Sequence, residues 1–130
     1  MGGQGWLSIA WKHADCVGAC GSMSGVQDLV PWKDKYELSN ILGNTNDNSN
    51  FEKYSVLRIV KNVPHQIPAI IIDCGVDDPF IETNRKLHFE LLELKIPHDY
   101  TERNGTHNWD YWGNAVRYQF EFFSNFFRNL

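Results

Sequence analysis

The 130 residues suffice for one domain or a large piece of one, and a composition of 42% hydrophobic and 22% charged residues is that of a folded chain. A net charge of −4 argues against a nucleic-acid or anionic-membrane partner, and no apolar run approaches the roughly 20 residues needed to span a bilayer as a helix. Eight Phe, five Trp and five Tyr leave a large apolar surface to bury.

In chain order, Gly3 to about His13 reads as a short helix with Leu7, Ala10 and Trp11 on one face. Val17 to Met23 is small and apolar enough for a buried strand, and Gly25 to Pro31 is a loop. Lys33 to Leu42 reads as a helix with Tyr36, Leu38, Ile41 and Leu42 as its apolar positions. Gly43 to Asn50 is rich in Asn, Asp and Ser and reads as a loop, and Phe51 to about Lys61 as a second helix. The run from Pro68 to Asp73 is apolar without alternation, which suits a strand covered on both faces, as in a parallel sheet.

Asn84 to Lys95 reads as a helix with Leu87, Leu91 and Leu94 on one stripe, and His98 to Glu102 as a short strand. Asn108 to Phe127 gives the strongest helical signal: Trp109, Trp112, Val116, Phe120, Phe123 and Phe127 recur at helical spacing, which predicts that this stripe faces the core. Strand and helix alternate with short connections, so the fold class is α/β, and ligands are expected at the carboxyl ends of the strands. No internal repeat or domain linker is visible.

Asp77 and Asp78 follow the strand ending near Asp73, and His107 follows the strand ending near Glu102. Both positions should project from the carboxyl edge of the sheet. Asp followed by His is the order in which the acid and base of a Ser…Asp…His acyl-transfer triad occur in one large enzyme fold. By position alone, one of the two Asp residues caps the next helix and the other is free to orient an imidazole. His107 reads equally as a surface or helix-capping residue.

Gly21-Ser22-Met23-Ser24-Gly25 has Met at its centre and so is not the Gly-x-Ser-x-Gly turn that presents a nucleophilic serine. Asn104-Gly105-Thr106 has the form of a glycosylation sequon. His13, His65, His88 and His98 form no metal-binding spacing. Cys16, Cys20 and Cys74 make neither a disulfide framework nor a four-ligand zinc pattern, and read as small buried hydrophobes.

Five segments, in order, resemble the putative-esterase family of α/β-hydrolases, which includes S-formylglutathione hydrolases, tributyrin esterases, feruloyl and acetyl-xylan esterases, and mycolyltransferases. Met1-Gly2-Gly3-Gln4-Gly5-Trp6-Leu7 is similar to the stretch after the serine in that family's Gly-x-Ser-Met-Gly-Gly turn. Lys12-His13-Ala14-Asp15 is similar to its Lys/Asn-His-Pro-Asp turn, with Ala14 in place of Pro, and Gly21 to Gly25 to its next strand end. Asp73 to Phe80 is similar to its acid motif, and Gly105 to Trp112 to its His loop.

The resemblance covers essentially the whole chain but only the C-terminal half of a family member. It implies a single partial α/β-hydrolase domain over residues 1–130, beginning just after the nucleophile, with parallel strands, flanking helices and the N-terminal strands absent. It implies that Asp78 is the triad acid, that His107 is the general base, and that Asp77 is a cap or loop residue. Met1 matches the residue after the nucleophile, whose main-chain N–H is one oxyanion-hole donor. The serine is expected immediately before Met1.

The implied activity is carboxylic-ester hydrolysis through an acyl-enzyme, with no cofactor or metal, on a small-molecule or carbohydrate-linked ester. On its own the chain is expected to be inactive and, with a hydrophobic sheet edge exposed, poorly soluble. The alternatives are a non-catalytic carbohydrate- or partner-binding remnant, with Trp109, Tyr111 and Trp112 as the binding cluster, and an acyltransferase. Localisation is not legible.

Overall fold

The computed structural model describes all residues, Met1–Leu130. Three parallel strands form one sheet: β1 (Ala19–Met23), β2 (Ala69–Gly75) and β3 (Asp99–Arg103), in the order β1-β2-β3. The register pairs Met23 with Asp73 and Asp73 with Thr101, so the three carboxyl ends lie side by side.

Around the sheet run α1 (Gly2–Lys12), α2 (Leu38–Leu42), α3 (Ser49–Tyr54), α4 (Val56–Ile59), α5 (Ile81–Glu93) and α6 (Trp109–Arg128), with a 3₁₀ turn at Val30–Trp32. The apolar run ahead of Asp73 is explained by its central place. Ile70 and Ile72 point into a core shared with Leu7, Trp11, Val56, Leu87 and Leu91, from α1, α4 and α5. Ile71 points to the other face, where α6 lies. A second, smaller core gathers Val26, Leu29, Leu38, Phe51 and Phe80 beneath the connection from β1 to β2.

Three sequence expectations are corrected. The helix expected over Lys33 to Leu42 is only its last five residues, because Tyr36 and Glu37 adopt left-handed backbone angles (φ 54° and 56°) that no helix tolerates. Of its expected apolar positions, Leu38 is buried and Ile41 is 75% exposed. The helix expected from Phe51 to Lys61 is split into α3 and α4 at Ser55. That residue is extended, and its buried hydroxyl accepts from Leu29 N–H (2.8 Å) and donates to Phe51 C=O (2.7 Å). Here a side chain competes with the helix for backbone partners.

The third correction is the largest. On α6 the buried residues are Tyr111, Ala115 and Gln119, while Trp109, Phe120 and Phe127 of the expected inward stripe are 82%, 69% and 66% exposed. The sheet dictates this choice. Gly21 of β1 leaves room for the Gln119 amide, where any Cβ would collide with it. The line of Tyr111, Ala115 and Gln119 turns inward, Phe126 packs against Gly18 just ahead of β1, and Trp109, Phe120 and Phe127 turn outward.

Candidate active site

The segment after β2 turns back at once. Asp78 N–H donates to Gly75 C=O (3.1 Å), and α5 begins three residues later with Ile81 N–H donating to Asp78 C=O (3.0 Å). Asp78 is 2% exposed and uses its two carboxylate oxygens for different tasks. Oδ1 accepts from Phe80 N–H (2.9 Å), closing the turn, and Oδ2 lies 2.9 Å from His107 Nδ1. The helix-capping role expected of one of the two Asp residues is filled by neither, since Phe80 is the N-cap residue of α5 and no side chain caps it. Asp78 closes the turn and meets the imidazole. Asp77 is exposed and contributes only its backbone.

His107 is carried on the loop between β3 and α6, and that loop is laced to the acid turn. Val76 N–H donates to Arg103 C=O (2.9 Å), Asp77 N–H to Gly105 C=O (3.0 Å), and Thr106 Oγ1 to Asp77 C=O (3.0 Å). Two glycines allow this contact. A Cβ on Gly75 would fall 2.4 Å from the Gly105 carbonyl oxygen, and Gly105 itself has φ 136°, a region side chains disfavour. Asn108 then caps α6, its Oδ1 accepting from Tyr111 N–H (3.0 Å).

The imidazole stands edge-on to Phe80 (centroids 5.1 Å apart, 85°) and Trp112 (4.7 Å, 90°). An ionised carboxylate only accepts, so the Nδ1 proton points at Asp78 and Nε2 carries the free lone pair. Nε2 makes no hydrogen bond within the protein. It belongs to a cleft of about 390 Å³ that His107 lines with Met1, Gly2, Gly3, Trp6, Met23, Ser24, Trp109 and Trp112.

Met1 is the N-cap residue of α1, with no side-chain cap bond, and lines this cleft. Ser22 and Ser24 are buried, and neither bonds an imidazole: Ser22 Oγ accepts from Gln27 Nε2 (3.0 Å) and Ser24 Oγ from Trp112 Nε1 (3.1 Å). Trp109, expected in the core, stands exposed at the mouth, edge-on to Trp112 (5.2 Å, 87°). Tyr111 of the same cluster is buried instead. Cys20 and Cys74 are buried thiols, both pushed up to about 12 by desolvation and so inert as nucleophiles. Cys16, expected to be buried with them, is exposed.

A family profile described as "Putative esterase" matches residues 1–122. The chain belongs to this esterase family. An acetyl esterase of Caldicellulosiruptor saccharolyticus is 30% identical over 88 residues, which are 68% of this chain and 31% of the relative. A ferulic acid esterase of known structure is 25% identical and superposes on 95% of this chain and 46% of its own, with a TM-score of 0.75. A fluorophosphonate-binding serine hydrolase of Staphylococcus aureus superposes with a TM-score of 0.76 at 22% identity, over 91% of this chain and 49% of its own. The esterase-family chain described here thus spans about a third of the curated relative and about half of these structures. Its three parallel strands and flanking helices have the fold of α/β-hydrolase esterases.

The sequence missed a second polar cluster at the same edge. Asp73, 1% exposed, accepts from both the Arg103 guanidinium and the Tyr111 hydroxyl. One signal was available: Asp73 closes an apolar run, and a charge on a buried strand demands partners. Nothing in the sequence named those partners, since they lie 30 and 38 residues away.

Proposed function

We propose that this chain carries the acid and base of a serine esterase that cleaves small carboxylic esters through an acyl-enzyme. The observation that supports the reading best is the 2.9 Å bond between His107 Nδ1 and the buried Asp78 carboxylate, which leaves Nε2 open to the cleft. In this proposal a serine adjoining Met1 attacks the ester carbonyl as Nε2 takes its proton. The imidazolium, held and stabilised by Asp78, then protonates the leaving alcohol. Water repeats the sequence and releases the acid. The main-chain nitrogen of Met1, at the head of α1, is one donor to the oxyanion. No cofactor enters this chemistry.

The test is hydrolysis of p-nitrophenyl acetate and butyrate. The chain as it stands is expected to be inactive. The chain joined to an upstream segment ending in Gly-x-Ser is expected to turn over, with a burst of p-nitrophenol marking the acyl-enzyme. Unchanged activity after His107→Ala in the joined chain would reject the assignment. Adding a sugar alcohol to the same assay separates transfer from hydrolysis, because an acyltransferase gives acylated sugar in place of free acid.

A further inference from the structure

Asp73 does a separate job for this site, and the inference rests on the reading of His107 as the base. We propose that Asp73 is the positioning residue of the His107 loop: one buried carboxylate grips the chain on both sides of that loop and thereby fixes the distance from His107 to Asp78. Arg103 is the last residue before the loop, and Tyr111 lies in the first turn after it. The guanidinium donates to Asp73 Oδ2 and the phenol to Oδ1, so the two arms converge on a single residue of the central strand.

The grip extends further along α6. The Arg103 guanidinium also lies over the Tyr118 ring, 3.8 Å from its centroid, which ties the next two turns of the helix to the same carboxylate. Burial makes the arrangement stiff. A carboxylate that is 1% exposed has no water to fall back on, so releasing either donor is costly. The desolvated Tyr111 phenol is pushed up to about 12 and stays a donor at any ordinary pH.

Asp78 meets the loop only at the His107 ring, its other oxygen accepting from Phe80 N–H, while Val76 and Asp77 bond the loop backbone. The work is divided between two carboxylates: Asp78 orients the ring, and Asp73 holds the segment that carries it.

The test reads the hydrogen bond directly and needs no turnover. In the full 130-residue chain, the His107 Nδ1 proton is followed by NMR and its solvent exchange measured well below the melting midpoint. Asp73→Asn is expected to speed that exchange at least roughly tenfold, or to abolish the signal, with the helical circular dichroism retained. Tyr111→Phe removes one donor, keeps the charge pair and is expected to act in the same direction by a smaller factor. Ile72→Val, which loosens the neighbouring core without touching the carboxylate, is expected to leave the exchange unchanged.

Wild-type exchange in both Asp73→Asn and Tyr111→Phe overturns the proposal. So does equal acceleration in Ile72→Val, which would assign the effect to general loosening. If Asp73→Asn fails to fold, Tyr111→Phe against Ile72→Val decides alone. An inactive joined enzyme with the exchange effect intact refutes the esterase reading and leaves the clamp standing.

Discussion

Two histidine pairs join α5, or the turn before it, to the residues on either side of β3, and their partners differ. His107 Nδ1 faces the carboxylate of Asp78. His88 Nδ1 faces another imidazole, His98 Nε2, at 2.8 Å. His98 Nδ1 lies 2.8 Å from Ile96 C=O, and a carbonyl only accepts, so His98 Nδ1 holds a proton, and in the neutral ring His98 Nε2 accepts from His88 Nδ1. Burial first, then the His98 imidazole, holds His88 below its ordinary value, with Glu102 pulling the other way.

Ring packing reinforces the contrast. His88 lies flat on Tyr100 (4.2 Å, 9°), whose hydroxyl donates to Glu102 (2.6 Å), while Arg85 grips the same carboxylate with two bonds of 2.9 Å. The Arg85 guanidinium holds Glu102 below the usual carboxylate range. Both pairs line a cleft and leave one ring nitrogen without a partner in the protein, His107 Nε2 and His88 Nε2. They differ in what the bonded nitrogen meets, a carboxylate for His107 and an imidazole within a network of aromatic and ionic contacts for His88. Residue type made both histidines candidates, and surroundings separate them.

The largest expected effect breaks the comparison if it fails. In the chain joined to a Gly-x-Ser segment, His107→Ala should lower ester hydrolysis by about 10³–10⁶-fold, while His88→Ala should leave the rate per folded molecule within about twofold. Comparable losses in both would mean that the carboxylate partner does not mark the base. Asp78→Asn should cost about 10⁴-fold, because an amide that donates to Nδ1 selects the wrong tautomer. Full activity in that variant would remove Asp78 from the proposed chemistry.

The third expectation concerns pH. A histidine held below its ordinary value of 6.5 takes up its proton more readily unfolded than folded. Its contribution to stability is therefore complete above that ordinary value and is lost as pH falls through the depressed one. The melting midpoint should fall between about pH 7 and about pH 5, and less steeply in His88→Gln. Identical slopes would show that the imidazole pair is not desolvated. The smallest effect belongs to the outer flank of α6, which neither pair reaches. Phe120→Ser should change stability by no more than about 0.5 kcal/mol, as measured by urea denaturation, and should raise solubility. A loss of several kcal/mol there would place that ring in the core after all.

Much of this architecture was legible in the sequence, because it arises from local pattern. The doubly covered strand, the long last helix and the positions of Asp78 and His107 past strand ends all rest on periodicity and turn chemistry within a few residues. What failed depended on partners far along the chain. The aromatic stripe of α6 has a strong helical period, yet Gly21 of β1 selected the line of Ala115 and Gln119 to face the sheet. Ser55 broke a continuous helical pattern by bonding to Leu29.

The order of Asp78 and His107, and their placement at one edge of a parallel sheet, were determined by sequence alone, since strand ends and loop residues are written locally. The tertiary structure decided that one carboxylate oxygen closes a turn while the other meets His107, and that Asp73 receives Arg103 and Tyr111. Hydrogen bonds are directional over a few ångströms, and these residues become neighbours only when the carboxyl ends of β2 and β3 lie side by side with α6 across them.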